Sequence, residues 1–121
     1  MSSPLATKPP LDRFPYPREA ASRPYGPDLP PGPYVFVQAA DGMVWVLPET
    51  RGHLHPRVLG GAIPAAAAGG LVAGPGGGIL EVDNYSGTFQ FGPEILPRVR
   101  AALALQGGDV SATREVPFEH D

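Results

Sequence analysis

The stretch "LGGAIPAAAAGGLVAGPGGGILEVDN" (residues 59–84) decides the fold of this chain. Its first half is almost bare of side chains. Alanine favours helix, but Pro64 and the pair Gly69 and Gly70 cut the window below useful helical length. "LVAG" and "GILEVDN", on either side of the glycine run, read instead as the two arms of a hairpin whose turn is residues 74–78. The small residues at 60–70 then predict a place where another backbone comes close, either a strand passing under Trp45 or the face of a helix.

Working outward, the upstream neighbour is a second hairpin. "YVFVQ" (residues 34–38) is β-branched and aromatic, as strands prefer. Asp41 and Gly42 are a strong two-residue turn signal, since both tolerate positive φ. "MVWVLP" (residues 43–48) returns, and Trp45, the largest apolar group in the chain, is expected in the core. The polar segment after it predicts a loop that ends in a short helical turn at Val58 and Leu59.

Downstream, "GTFQF" (residues 87–91) alternates with the period of a half-buried strand. "GPEILPRVRAALALQGG" predicts the helix. Pro93 and Glu94 suit its first turn, Gly107 suits the position just past its end, and Ile95, Leu96, Val99, Ala102 and Leu103 make one apolar face. Pro97 either kinks this helix or marks its true start. "TREVPFEHD" adds a short strand, confined to an edge by Pro117. Strands grouped ahead of a helix predict an α+β domain: a small antiparallel sheet of hairpins with a helix in the C-terminal half.

Residues 1–33 read differently. Four of their charges are basic and three acidic, against five and nine in residues 34–121, and proline recurs about every third position. Such a segment supports neither helix nor central strand and is expected to be extended and polyproline-like. We therefore divide the chain into a Pro-rich arm (1–33) and a small domain (34–121). Phe14, Tyr16 and Tyr25, flanked by Arg18 and Arg23, are the residue types that anchor interfaces, so these five are candidate partner-binding residues.

Composition narrows the function classes. Net charge is -3, so the basic surface that a nucleic-acid binder displays is missing and no nucleic-acid partner is expected. The chain has no cysteine, which excludes disulfides and thiolate metal sites. There is no apolar run of membrane-spanning length and no signal-peptide core at the start, which predicts a chain made in the cytoplasm, not inserted in a membrane, with export by a signal-independent route left open.

The body also resembles a known pattern. His55, the small-residue run Leu59, Gly60, Gly61, Pro64 and residues 66–69, the pair Ser86 and Gly87, and the helix opening at Pro93 and Glu94 are similar to a segment of bacterial polymorphic-toxin and effector proteins. The same segment resembles the C-terminal half of plant IQ-motif calmodulin-binding proteins. The likeness spans about residues 34–106. It implies a strand, glycine turn, strand and helix, and a place in a bacterial toxin, effector or immunity system. The polar positions differ most: Pro56 and Arg57, Gly70, and Thr88 and Phe89 replace the Ser-Ser, Glu and His-Tyr of the pattern. The chain has no Ile-Gln motif, so calmodulin binding is not implied.

Candidate chemistry is sparse. His53 and His55 would share one face of an extended segment and could hold a metal with a third ligand, but two solvated histidines are the commoner outcome. "GPGGG" lacks the Lys-Ser/Thr of a phosphate loop and reads as a turn. Glu81 and Asp83 share a strand face and could serve acid–base chemistry or simply form its wet side. Asn84 to Gly87 reads first as a turn. Ser86 would need His55 within hydrogen-bond reach to act as a nucleophile. Two functions follow. The first is a non-catalytic interaction domain that docks a protein through the arm and the sheet face. The second is a small or degenerate enzyme, nucleotide- or ADP-ribose-directed, with His55, Glu81, Tyr85 and Ser86 around a cleft. Neither requires a cofactor, and the thinned polar motif favours the first.

Overall fold

The structure, a computed structural model, describes residues 20–49, 58, 65–86 and 91–119. Among them, six strands form one sheet: β1 (Arg23–Pro24), β2 (Gly32–Ala39), β3 (Val44–Pro48), β4 (Ala65–Ala73), β5 (Ile79–Asp83) and β6 (Arg114–Val116). Their spatial order is β1-β3-β2-β4-β5-β6. A helix, α1 (Leu96–Leu105), lies between β5 and β6 in sequence. The fold is α+β, as the pattern of elements predicts.

Both hairpins form. β2 pairs antiparallel with β3, and β4 with β5. The turn between β2 and β3 is longer than the two-residue type expected, because among the described residues no non-glycine residue takes positive φ and in this turn only Gly42 (φ 95) does. The Asp41 carboxylate instead accepts the Met43 N–H at 2.9 Å. The sheet is mixed rather than wholly antiparallel. The chain leaves β5, passes through α1 and returns as β6 running parallel to β5. A helical crossover is the connection a parallel pair needs, whereas a tight turn reverses direction.

The alanine run is the centre of the sheet, not a connector into it. β4 extends over nine residues between β2 and β5. Its smallness matches the bulk of its neighbour: Phe36 stands opposite Gly69, Val35 opposite Gly70 and Val37 opposite Ala68. Alanine and glycine are poor strand formers in isolation, so tertiary pairing overrides local preference here. The close approach expected at this run is real, but its cause is β5. A Cβ on Gly69 would lie 2.0 Å from the Asp83 carbonyl oxygen and 2.9 Å from the Asn84 Cα. Neither Trp45 nor α1 is the group that needs the room.

The sheet is apolar on both faces. On one, Phe36, Val44, Val46, Leu71 and Val82 pack with Ile95, Leu96, Val99 and Leu103 from the helical segment. On the other, Val35, Val37, Leu47, Ala65 and Ala68 pack with Val58, which is helical and fully buried. Trp45 is not in the centre of the core; it is half-buried against the rim of this second cluster. Covering on both faces explains why β2 is buried at five successive residues instead of alternating.

α1 resolves the ambiguity at Pro97. A short 3-10 turn (Pro93–Ile95) precedes it, and Pro97 lies in the first helical turn, where its missing N–H is not needed. The helix closes as a Schellman motif. Gly108 N–H bonds the Leu103 carbonyl at 2.9 Å, Gly107 N–H bonds the Ala104 carbonyl at 3.0 Å, and Gly107 has φ 97. Gln106 then ties this end to the sheet: its Nε2 donates to the Tyr25 and Val44 carbonyls, and its Oε1 accepts the Val44 N–H at 2.7 Å.

The boundary at residue 33 moves upstream. Arg23 and Pro24 pair with Val46 and Trp45, and Tyr25 and Leu29 are core residues at 4% and 6% exposure. Pro27 sits against two glycines of positive φ, Gly77 and Gly107, at which a Cβ would come within 3.1 Å of it. The segment from Ser22 onward is therefore part of the domain. The part of the arm before Ala20 lies outside the described residues.

Candidate functional site

The polar cluster expected at residues 81–86 sits at the exit of β5. Glu81 and Asp83 alternate with the buried Val82, so both project from the sheet face opposite α1. Neither carboxylate is idle. Arg114, opposite Glu81 in the parallel pair, forms an ion pair with it. Asp83 Oδ1 accepts two backbone N–H groups, from Gly70 at 2.9 Å and Tyr85 at 2.8 Å. The first replaces a ladder bond and the second makes an Asx-type turn, so the carboxylate closes the strand end.

Asn84 is the residue that sequence reasoning undervalued. It reads as a turn residue, yet it is fully buried. Its Nδ2 donates to the Phe91 carbonyl at 2.9 Å and to the Phe118 carbonyl at 2.8 Å. Its Oδ1 accepts the Phe118 N–H at 2.7 Å. One amide thus joins the β5 exit, the segment entering α1 and the segment after β6. It treats Phe118 as a neighbouring strand would, taking its N–H and its carbonyl together. No spacing in the sequence marks this, because its partners are 7 and 34 residues away.

Tyr85 and Ser86 point in different directions. Ser86 is fully buried, whereas Tyr85 is 57% exposed. The Tyr85 ring meets Phe118 edge to face, with centroids 4.7 Å apart and an interplanar angle of 82°. Phe118 is itself 40% exposed. Two aromatic rings therefore stand together at the surface, over a buried amide and beside a closed carboxylate. Of the four residues of the expected cleft, the structure places Glu81, Tyr85 and Ser86 along one strand exit. His55 lies outside the described residues, as does His53.

The five arm residues separate in the same way. Phe14, Tyr16 and Arg18 lie outside the described residues. Tyr25 is no surface anchor in this molecule: its ring covers Gly108 and its hydroxyl donates to the Gly77 carbonyl at 3.2 Å. Burial, and then the nearby charge of Asp28, push its phenol above the ordinary range. Arg23 pairs with Asp28 at 2.6 Å. That hydrogen bond and the guanidinium charge hold the Asp28 carboxyl below its usual value. Sequence could not foresee these positions, because what recruits Tyr25 is the pair of glycine turns, 50 and more residues downstream in the chain.

What this arrangement can do chemically follows from its partners. Carboxylates already bound to donors are poorly placed to take a proton from a substrate. Among the described residues, no group of three or more His, Cys, Asp or Glu comes together to hold a metal, and no helix is long and apolar enough to cross a membrane. Among the described residues, the aromatic pair is a chemically distinctive surface feature. Comparison with known proteins adds no relative: no protein-family model, no curated protein and no solved structure was found to match the chain.

Proposed function

We propose that this chain is a non-catalytic interaction domain that holds a protein partner at the surface around Tyr85. The observation that carries this reading is the contrast at the β5 exit. The polar side chains there are occupied by structural bonds, while two aromatic rings are presented to solvent. Paired aromatics supply large contact area with little side-chain entropy to lose, which is why interfaces favour them. The acidic balance of the chain argues for protein rather than nucleic acid as the partner.

The setting we propose is a bacterial toxin, effector or immunity system, on the strength of the resemblance over about residues 34–106. Phe14, Tyr16 and Arg18 of the Pro-rich arm keep their proposed part in docking. Arg23 and Tyr25 do not, since the domain itself uses them.

Capture from the lysate of the native host by the intact, tagged chain tests this. A specific protein is expected on the wild-type chain, and Tyr85→Ala should lower its recovery at least tenfold, the scale of a central interface aromatic. The opposite outcome is turnover by the wild-type chain in a screen for nucleotide hydrolysis and ADP-ribosyl transfer, lowered a hundredfold or more by His55→Ala, with no protein retained. That result would make the chain an enzyme.

A further inference from the structure

We infer that Asn84 and Tyr85 form a recognition site for an extended segment carrying a proline followed by an aromatic residue, and that the chain's own Pro117 and Phe118 occupy it in the structure. This inference rests on the interaction reading above and names the class of partner segment. The geometry is that of a site with its ligand seated. A fully buried amide takes both the N–H and the carbonyl of one residue, at 2.7 and 2.8 Å. The Tyr85 ring meets that residue's ring at 4.7 Å. The two contacts read different things. The amide reads an extended backbone and is indifferent to side chain, whereas the ring selects an aromatic one. The proline just before it removes an N–H and fixes φ, so the segment presents itself extended and loses little entropy on docking.

Phe118 lies outside the sheet ladder, since Val116 is the last residue of β6 paired to β5. The Asn84 amide and the Tyr85 ring are among the contacts that seat it. A segment of the same chemistry from a partner would meet the same donors and acceptors. The cis segment is present at the high effective concentration that tethering gives, so a free peptide has to compete with it. Weakening the cis occupant must then strengthen binding of the peptide. A purely architectural contact predicts no such gain.

The test uses the intact chain and a fluorescein-labelled peptide of sequence VPFEHD. Phe118→Ala keeps the backbone that Asn84 holds but removes the competing ring. It should bind the peptide at least tenfold more tightly than the wild-type chain. Adding Tyr85→Ala to that variant, or changing the peptide to VPAEHD, should cancel the gain. Equal binding by the wild-type chain and Phe118→Ala, including none by either, overturns the inference. A second measurement does not depend on the variant folding. In the wild-type chain labelled with fluorinated phenylalanine, excess peptide should move the Phe118 resonance toward that of a solvent-exposed phenylalanine, and an unmoved resonance overturns it equally. Tyr85-dependent capture from lysate with a negative peptide result would retire this site alone and leave the interaction reading standing.

Discussion

Gly69 and Gly70 are adjacent, chemically identical and indistinguishable by sequence, yet the structure assigns them unequal tolerance of a single methyl group. At Gly69 an added Cβ would fall 2.0 Å from a backbone oxygen, that of Asp83. Reaching ordinary contact requires β4 and the β5 exit to separate by more than 1 Å, on the scale of a carbon–oxygen contact of about 3.4 Å. That movement pulls on the Asp83 bonds to Gly70 and Tyr85 and on the buried Asn84 amide next to it. Overpacking of this kind costs about 1–3 kcal/mol and occasionally more. Because the atoms in the way are backbone, of Asp83 and Asn84, Gly69→Ala belongs at the upper end, about 3 kcal/mol. At Gly70 the nearest atoms are the Asp83 carboxylate oxygens, at 3.0 and 3.4 Å. A side chain can give by a few tenths of an ångström, and the lost freedom of the unfolded glycine offsets about 0.4–1 kcal/mol. Gly70→Ala should therefore change stability by less than about 1 kcal/mol. Urea denaturation followed through Trp45, the sole tryptophan, reports both variants. Equal losses at the two positions, or a near-neutral Gly69→Ala, would refute the claim that β5 backbone is what the glycine accommodates.

Two further outcomes follow from the segment recruited into the domain. Tyr25→Ala should cost about 3–5 kcal/mol, as a buried aromatic removed from a core does, while Tyr25→Phe should cost about 1 kcal/mol for the bond to Gly77; calorimetry that shows no change for the alanine variant would return residues 22–33 to the arm. Stability should also fall at high pH. Burial raises the phenols of Tyr25 and Tyr34 above 10.0, so the folded state holds its protons more tightly than the unfolded one. Stability is then complete below pH 10 and declines as pH rises through the folded values. Tyr25→Phe should flatten that alkaline decline in a denaturation series from pH 8 to 11, and an unchanged slope would contradict it.

The sequence by itself determined the elements whose signals are local. The first hairpin is legible in β-branched residues around Asp41 and Gly42, and the second in two apolar runs around a glycine turn. The helix shows its start in Pro93 and Pro97, its buried face in Ile95, Val99 and Leu103, and its end in Gly107. Each of these depends on backbone preferences or periodicities within a few residues. What only the tertiary structure decided is everything that depends on a distant partner. The alanine run becomes a central strand because the bulky residues of β2 need small ones opposite. The last strand turns parallel because α1 carries the chain across the sheet. Tyr25 leaves the arm for the core because glycine turns far along the chain make room for it and Pro27. Asn84 becomes a buried clamp because its bonds close over 34 residues. Side-chain complementarity and hydrogen bonds of that reach leave no periodicity behind, since either partner alone looks like an ordinary turn, linker or tail residue.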